Sequence, residues 1–190
     1  MGAAVLVPVK AFARAKLRLA PALDAVARQM LARHMAALVV AAAEPLPVTV
    51  VCDDEEVASW AAGVGASVVW APGQGLNRAV IGGVAALSAA GFTRVVVAHA
   101  DLPLARNLYL LAAGSGVTLA PDRHEDGTNV AVVPADAGFH FSYGPGSFRR
   151  HRAEAARLGL PVRIVREPAL AWDVDDPADL DLPYRVAACN

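Results

Sequence analysis

The chain has 190 residues, is 56% hydrophobic and carries a formal net charge of −1. This length is enough to bury a core and is typical of one domain, so we expect a single domain over residues 1–190. The near-neutral charge gives no overall electrostatic footprint for nucleic acid or an anionic membrane, and no apolar run reaches the length of a membrane span.

The N-terminal sequence and the cysteines both favour a cytoplasmic protein. The segment MGAAVLVPVK has no basic region ahead of its apolar part, and Lys10 follows too soon for a secretory signal. Cys52 and Cys189 lie far apart and match no disulfide or metal-binding spacing, so we expect two free thiols.

Strand and helix patterns alternate along the first half of the chain. Short apolar runs predict strands at Ala3–Val7, Val48–Val51 and Ser67–Trp70. Between the first two, apolar residues recur at helical spacing and predict a helix over Leu23–Ala43 that packs on the sheet. Its apolar positions are Val26, Met30, Leu31, Leu38 and Val39. The alternation predicts an α/β fold with a mostly parallel sheet.

A run of acidic residues, Asp53 to Glu56, follows the second strand. Such a run is compatible with a metal cluster. Acidic side chains are also favoured at a helix N-terminus by the helix dipole, and we favour this interpretation, with a helix that extends to about Ala62.

The segment VKAFARAKLRLAP after the first strand is basic and contains no acidic residue. It holds both lysines of the chain, Lys10 and Lys16. The other positively charged side chains are fifteen arginines, which are distributed along the chain and also occur in this segment. One interpretation is an exposed helical turn with a solvated charged face. The other is a phosphate-binding loop, in which a compact ammonium meets a phosphate as a point charge. Because the segment lacks glycine, such a loop would depend on side-chain charge.

The segment from Pro72 to Asn77 precedes an apolar helix that is expected to end near Gly91. Pro-Gly-Gln-Gly is an ordinary turn, and Asn77 is an acceptable helix cap. The alternative is functional, because glycines such as Gly75 let a ligand approach the backbone and Asn77 can bind a sugar hydroxyl or a base edge.

The stretch RVVVAHADLPL, residues 94–104, predicts the central strand of the sheet. Asp101 follows this strand, where ligands bind in open α/β sheets, so it is a candidate metal ligand. The alternative is that Asp101 caps a short helix that begins at Pro103.

The second half of the chain contains three more predicted strands and two glycine-containing turns. The strands are Val117–Ala120, Val130–Val133 and Leu160–Val165, and a helix is expected around Leu108. Gly127, Thr128 and Asn129 are interpreted as a turn, and His124 as an exposed loop residue rather than a catalytic group.

The motif FSYGPGSFRRH places Gly144 and Ser147 ahead of a predicted helix. Backbone N–H groups at such a helix start, together with the Ser147 hydroxyl, can bind an anion. Ser147 can equally be a simple helix cap, and both roles are compatible.

The motif WDVDDPADL carries acidic residues ahead of Pro177, which suits the first turn of a short final helix. In an extended segment Asp173 and Asp175 point to the same side, so both can face one cation. Capping by the helix dipole explains Asp176 well and Asp173 poorly.

Taken together, these motifs resemble the guanylyltransferase family that activates phosphoenolpyruvate or 2-phospho-L-lactate in the biosynthesis of the deazaflavin redox coenzyme. The resemblance covers nearly the whole chain. Its motifs, in order, are VPVKAFARAKLRL, GLNRAV, HADLPL, DRHEDGTN, FSYGPGSFRRH and WDVDDPADL. It implies a three-layer α/β/α sandwich like that of sugar-nucleotide nucleotidyltransferases, which is a GT-A-like, Rossmann-like fold.

The resemblance also implies roles for individual residues. Magnesium would be held by Asp101, Asp173 and Asp175, with Lys10 and Lys16 at the phosphates of GTP. The phosphorylated three-carbon acid would be bound by Thr128, Gly144 and Ser147, and the guanosine would lie near Gly75 and Asn77. One departure is Leu17, which stands where the family commonly has serine.

The implied reaction is attack by the substrate's phosphate on the α-phosphorus of GTP, with release of pyrophosphate and handover of an unstable product to a following enzyme. The Ala- and Arg-rich composition suggests a GC-rich bacterial genome, for which the resemblance favours phosphoenolpyruvate as the acceptor. The alternative acceptors are 2-phospho-L-lactate and 3-phospho-D-glycerate. The alternatives are another nucleotidyltransferase, of the molybdenum-cofactor or sugar-phosphate type, and a nucleotide-binding regulatory module. The first usually has a glycine-rich first loop, and the second rarely needs three carboxylates.

Overall fold

A seven-stranded mixed sheet lies at the centre of the part of the chain that the computed structural model describes, residues 2–181. The strands are β1 Ala3–Pro8, β2 Val48–Cys52, β3 Ser67–Trp70, β4 Arg94–Ala98, β5 Val117–Pro121, β6 Thr128–Pro134 and β7 Val162–Ile164. Their order across the sheet is β3-β2-β1-β4-β6-β5-β7. The predicted central strand is therefore confirmed, because β4 occupies the middle position.

The sheet is mostly parallel. Among the described strands, β6 alone runs opposite to its neighbours β4 and β5, and the other pairs are parallel. Parallel pairs need crossover connections, and the helices supply them. The helices are α1 Ala25–Ala42, α2 Glu55–Gly63, α3 Gly75–Ala89, α4 Ser147–Arg157 and the short α5 Pro168–Ala171.

Alternating residues of the central strands β1, β4 and β6 pack into two separate apolar cores, because successive side chains point to opposite faces of a sheet. On one face, Val96 of β4 packs in a cluster that includes Val39 of α1 and Trp60 of α2. On the other face, Val97 packs in a cluster that includes Val80 of α3 and Phe148 of α4. Helices thus cover both faces, which confirms the predicted three-layer α/β/α sandwich.

The predicted packing face of α1 is wrong at its first turns. Val26 and Met30 are 65% and 66% exposed, whereas Met35, Ala36 and Val39 are fully buried. The helix contacts the core mainly through its second half, and the apolar side chains of Val26 and Met30 near its start point to solvent. Among residues 2–181, no helix combines the length and the apolar character needed to cross a membrane.

Helix starts carry the caps that the sequence predicts in two places. Asp54 accepts the Val57 N–H at 3.1 Å at the start of α2, and Asp176 caps the final 3₁₀ helix, Pro177–Leu180. No helix begins at Pro103, where the chain forms turns.

The turn after β5 covers residues 122–127, so the prediction of a turn at 127–129 is wrong for Thr128 and Asn129, which lie on β6. Cys52 is buried and free, and Cys189 lies outside the described residues.

We expect Gly116→Ala to destabilise the fold more than Gly138→Ala does. Both glycines have a positive φ, which costs an alanine about 1–2 kcal/mol. A Cβ on Gly116 would also lie 2.3 Å from the Pro161 carbonyl oxygen, whereas one on Gly138 meets nothing within 4 Å. Overpacking of this kind adds about 1–3 kcal/mol. Urea denaturation measures both variants, and equal losses would contradict the predicted clash.

Candidate active site

A cleft of about 610 Å³ opens at the carboxyl ends of β1, β2, β3 and β4. Ligands bind at this edge in open α/β sheets, because loops that follow neighbouring parallel strands meet there. Five of the predicted site residues line the cleft: Lys10, Lys16, Gly75, Asp101 and Asp175. The structure therefore brings together residues that are as far apart in the chain as the first loop and the final turn.

Lys16 connects two carboxylates of the cleft. Its ammonium donates to Asp101 Oδ2 at 2.7 Å and to Asp175 Oδ1 at 3.0 Å, and its side chain is only 11% exposed. The backbone at Lys16 is left-handed, with a φ of 54°, between the 3₁₀ helices Phe12–Arg14 and Leu17–Leu19. A non-glycine residue adopts this conformation at a cost of about 1–2 kcal/mol, so the surrounding structure must hold Lys16 in it.

The electrostatic interactions of the cleft keep Lys16 and Asp101 charged at neutral pH. Burial alone would lower the pKa of the Lys16 ammonium, but Asp101 and Asp175 outweigh it and raise that pKa above its ordinary value. Burial alone would raise the pKa of Asp101, but Lys16 and His99 hold it below its ordinary value. Lys10 lies exposed at the edge of the same cleft.

Asp101 does not cap a helix. Its Oδ2 binds Lys16, and its Oδ1 is buried and has no hydrogen-bond partner among the described residues. Buried polar atoms are nearly always paired, so this unpaired carboxylate oxygen in the cleft can accept a cation or a hydrogen-bond donor of a ligand.

Asp173 lies near these carboxylates but has different partners. Its carboxylate is 3.4 Å from Asn129 Nδ2 and 3.7 Å from Arg123 Nη1. Burial and the charges of Asp101 and Asp175 raise its pKa, so the three carboxylates influence one another. Within residues 2–181 no three acidic, histidine or cysteine side chains converge closely enough to hold a metal ion as they stand. Lys16 contacts Asp101 and Asp175, and Arg123 contacts Asp173 and Asp179.

Asp179, which the sequence analysis did not single out, holds the acidic segment in place. Its Oδ2 accepts the N–H groups of Asp175 and Asp176, both at 2.8 Å, and its Oδ1 binds Arg123 Nη2. Arg123 also lies over the Trp172 ring at 4.6 Å. The capping-box pattern around Pro177 was the available signal for Asp179, since that motif places an acidic residue at this position.

A second group of predicted residues lies around the start of α4. Thr128 begins β6 and is 2% exposed, and its hydroxyl is 3.0 Å from His151 Nδ1 of α4. Ser147 is the first residue of α4 and is 1% exposed, and Gly144 is exposed with a φ of 110°. These three residues do not line the cleft around Lys16.

The helix start itself differs from the sequence interpretation. The N-cap residue is Gly146 with no side-chain cap, so Ser147 is not the cap. Asp126 accepts the Gly146 N–H at 2.9 Å with its side chain and the Phe148 N–H at 3.0 Å with its carbonyl. The backbone N–H groups that were expected to bind an anion are therefore engaged within the protein, which leaves the Ser147 hydroxyl as the candidate donor.

Asn77 connects the two groups. It lies inside α3, which begins at Gly75, so it is not the helix cap. Its Oδ1 accepts the Tyr143 N–H at 2.7 Å, and Tyr143 immediately precedes Gly144. Asn77 thus fixes the segment 142–146 against the helix that borders the cleft.

Acid should destabilise the protein partly through His151. Burial, followed by the charge of Arg150, lowers the pKa of this ring to about 4, while an unfolded histidine titrates near 6.5. Between these values the unfolded chain binds the proton more tightly, so the free energy of unfolding falls as the pH drops from 6.5 to 4, by up to about 3 kcal/mol.

Urea denaturation of the parent and of His151→Gln at pH 7 and pH 4.5 measures this contribution. We expect the parent to lose about 2 kcal/mol more than the variant over this interval. His124→Gln, which replaces an exposed histidine, is the matched control. Parallel losses in the parent and in His151→Gln would show that His151 does not contribute.

Comparison with known proteins places this chain in a family. The model of the CofC-like guanylyl transferases matches residues 3–182. A phosphoenolpyruvate guanylyltransferase of Sphaerobacter thermophilus is 37% identical over 185 residues, which cover 93% of this chain and 89% of the relative. One from Roseiflexus castenholzii is 39% identical over 180 residues, which cover 92% and 84%.

Solved structures agree at the level of the fold. A protein of Desulfovibrio desulfuricans described as a nucleotide-diphospho-sugar transferase superposes with a TM-score of 0.79 at 18% identity, covering 98% of this chain and 87% of that one. A nucleotidyl transferase of Methanothermobacter gives a TM-score of 0.65 at 18% identity, covering 98% and 95%. The sequence matches extend over almost the entire chain, and the chain therefore belongs to the CofC-like guanylyl transferase family.

Proposed function

We propose that this protein transfers GMP from GTP to the phosphate of phosphoenolpyruvate and releases pyrophosphate. Family membership and the activity named for its relatives support this reaction. The observation that carries the proposal is the contact of Lys16 with Asp101 and Asp175 in a cleft at the carboxyl ends of the sheet. A cation between two carboxylates, next to further basic residues, suits a site for a triphosphate and its counter-ion.

The nucleotide is assigned to this cleft. Lys10 and Lys16 are proposed to bind its phosphates, since compact ammonium groups neutralise phosphate as point charges. Gly75 is proposed to lie against the nucleoside, because it lines the cleft and has no side chain to keep a ligand away from its backbone. Asn77 keeps the adjoining segment in position through Tyr143, and we assign it to the nucleoside as well.

The acidic residues suit a magnesium ion. Asp101, Asp173 and Asp175 would hold it, and carboxylates are the hard oxygen ligands that this ion prefers. The fit is supported by Asp101 and Asp175, which already share the Lys16 ammonium, and by the unpaired Oδ1 of Asp101. When bound, magnesium neutralises charge that develops on the phosphates.

The acceptor is assigned to Thr128, Gly144 and Ser147. Its phosphate has a second pKa near 6, so at neutral pH it is mostly a dianion and attacks without a general base. A phosphate oxygen forms the new bond to the α-phosphorus while the bond from that phosphorus to the bridging oxygen breaks, and pyrophosphate leaves with the bonding electrons. Lys16 and the other basic residues of the cleft would stabilise the negative charge on the departing group.

The central test measures pyrophosphate release with GTP, magnesium and each of three acids: phosphoenolpyruvate, 2-phospho-L-lactate and 3-phospho-D-glycerate. We expect turnover with phosphoenolpyruvate. Asp101→Asn should lower it by about 100-fold or more, because a metal ligand is worth several kcal/mol at tenfold per 1.36 kcal/mol. Asp136→Asn, at an exposed position, is the control. Full turnover of Asp101→Asn at saturating magnesium would remove Asp101 from the site.

Ser147→Ala tests the acceptor site separately. Loss of a hydrogen bond to a charged group costs about 1.5–3 kcal/mol, so kcat/KM for the acceptor should fall about 10- to 150-fold while the KM for GTP barely changes. Because Ser147 is not the helix cap, the melting temperature should stay close to that of Ser59→Ala, an exposed helical control. A drop in melting temperature with intact acceptor kinetics would contradict this role.

A further inference from the structure

His151 is a polar side chain inside an aromatic cluster. It is 0% exposed and lies on α4, with ring centroids 4.9 Å from Tyr143, 5.8 Å from Phe139 and 5.9 Å from Phe141. Both of its ring nitrogens nevertheless have partners: Ser142 N at 2.9 Å from Nε2 and Thr128 Oγ1 at 3.0 Å from Nδ1. A buried imidazole with two defined partners connects a strand, a helix and a loop.

The partners determine where the proton of the ring lies. The Ser142 N–H is a donor, so Nε2 must offer its lone pair. A neutral imidazole carries one proton, which is therefore on Nδ1 and is donated to Thr128 Oγ1. Burial lowers the pKa of His151 to about 4, which keeps the ring neutral at physiological pH.

This tautomer in turn determines the role of the Thr128 hydroxyl. Since Thr128 Oγ1 accepts the Nδ1 proton, its own proton must point to a different acceptor. The hydroxyl is thereby presented as a donor, which is the property that a carboxylate or phosphate of a substrate requires. Thr128 is almost fully buried, and a directed donor is worth most where water is excluded.

The same helix also shapes the loop that carries Gly144. His151 holds the Ser142 N–H, and the neighbouring Arg150 donates to the carbonyls of Ser142, Gly144 and Pro145. Segment 142–145 is thus fixed from one side of α4 by two adjacent residues, one of which also orients Thr128.

We propose that His151 is a positioning residue for the acceptor: it directs the Thr128 hydroxyl proton and the Gly144 loop toward the anionic groups of the phosphorylated acid. This inference rests on the proposed function, in which Thr128 and Gly144 bind that acid. His151 itself contacts neither substrate and acts through Thr128 and Ser142.

A double-mutant cycle tests the inference with the full-length enzyme. Its members are His151→Phe, which keeps an aromatic ring without polar atoms, Thr128→Val, which removes the hydroxyl, and the double variant. Thr128→Ser, which keeps a hydroxyl, is the matched control. We expect each of the two single variants to raise the KM for phosphoenolpyruvate about tenfold or more, with the KM for GTP within about twofold. His151→Phe should have a clearly smaller effect in the Thr128→Val background, because only its contact with the Ser142 N–H then remains to be lost.

Two kinetic outcomes overturn the inference and differ in what they say about the site. If Thr128→Val leaves the acceptor KM unchanged, Thr128 does not bind the acceptor, and the assigned acceptor site fails together with the inference. If Thr128→Val raises the KM but His151→Phe has its full effect in that background, the acceptor site stands and the role of His151 is overturned.

A spectroscopic measurement covers the case in which His151→Phe fails to fold. Nitrogen-15 NMR of the unmodified protein at pH 7 distinguishes the two neutral tautomers of His151, with His151→Gln used to assign its signals. We expect the tautomer protonated on Nδ1. A ring protonated on Nε2 would reverse the direction of the Thr128 hydrogen bond and overturn the inference.

Discussion

The contact of the Lys16 ammonium with the carboxylates of Asp101 and Asp175 is the interaction on which the rest of the cleft depends. It joins the loop after β1 to residues 85 and 159 positions further along the chain. A charge that is removed from water without a partner costs several kcal/mol, so the largely buried Lys16 and Asp101 depend on this pairing, whereas Asp175 is 47% exposed. The arrangement of the sheet, with β1 beside β4 at its centre, brings them to the same edge and makes the pairing possible.

The two halves of the proposed site bind through different interactions. The half around Lys16 is ionic, and its lysine pairs with two carboxylates of the protein itself. The half around Thr128 is built from neutral hydrogen bonds inside an aromatic cluster, with Asp126 and Arg150 as the charged groups that fix the surrounding backbone. An ionic region suits a triphosphate, and directed donors of fixed geometry suit a small anionic acid that must be aligned with the α-phosphorus.

The acidic segment at the end of the described chain shows how positioning residues support such a site. Asp175 contacts Lys16, but its backbone is held by Asp179, which in turn binds Arg123 from the loop after β5. A loop and a distant turn thereby become one unit. This explains why the acidic residues of WDVDDPADL divide into different roles: Asp175 faces the cleft, Asp176 caps a helix, and Asp179 orients the segment.

The sequence by itself determined the strands, the order of strands and helices, the central position of β4 and the candidate residues of the cleft. These features depend on local periodicity, on turn residues and on where carboxylates follow strands. Each of these patterns involves only residues that are close together in the sequence. Only the tertiary structure decided the packing face of α1 and the partners of Lys16, Asp173 and Asn77. It also decided that Asp126 accepts the backbone N–H groups at the start of α4. Each of these depends on contacts between residues far apart in the chain. Local patterns carry no information about which buried donor meets which acceptor across the sheet.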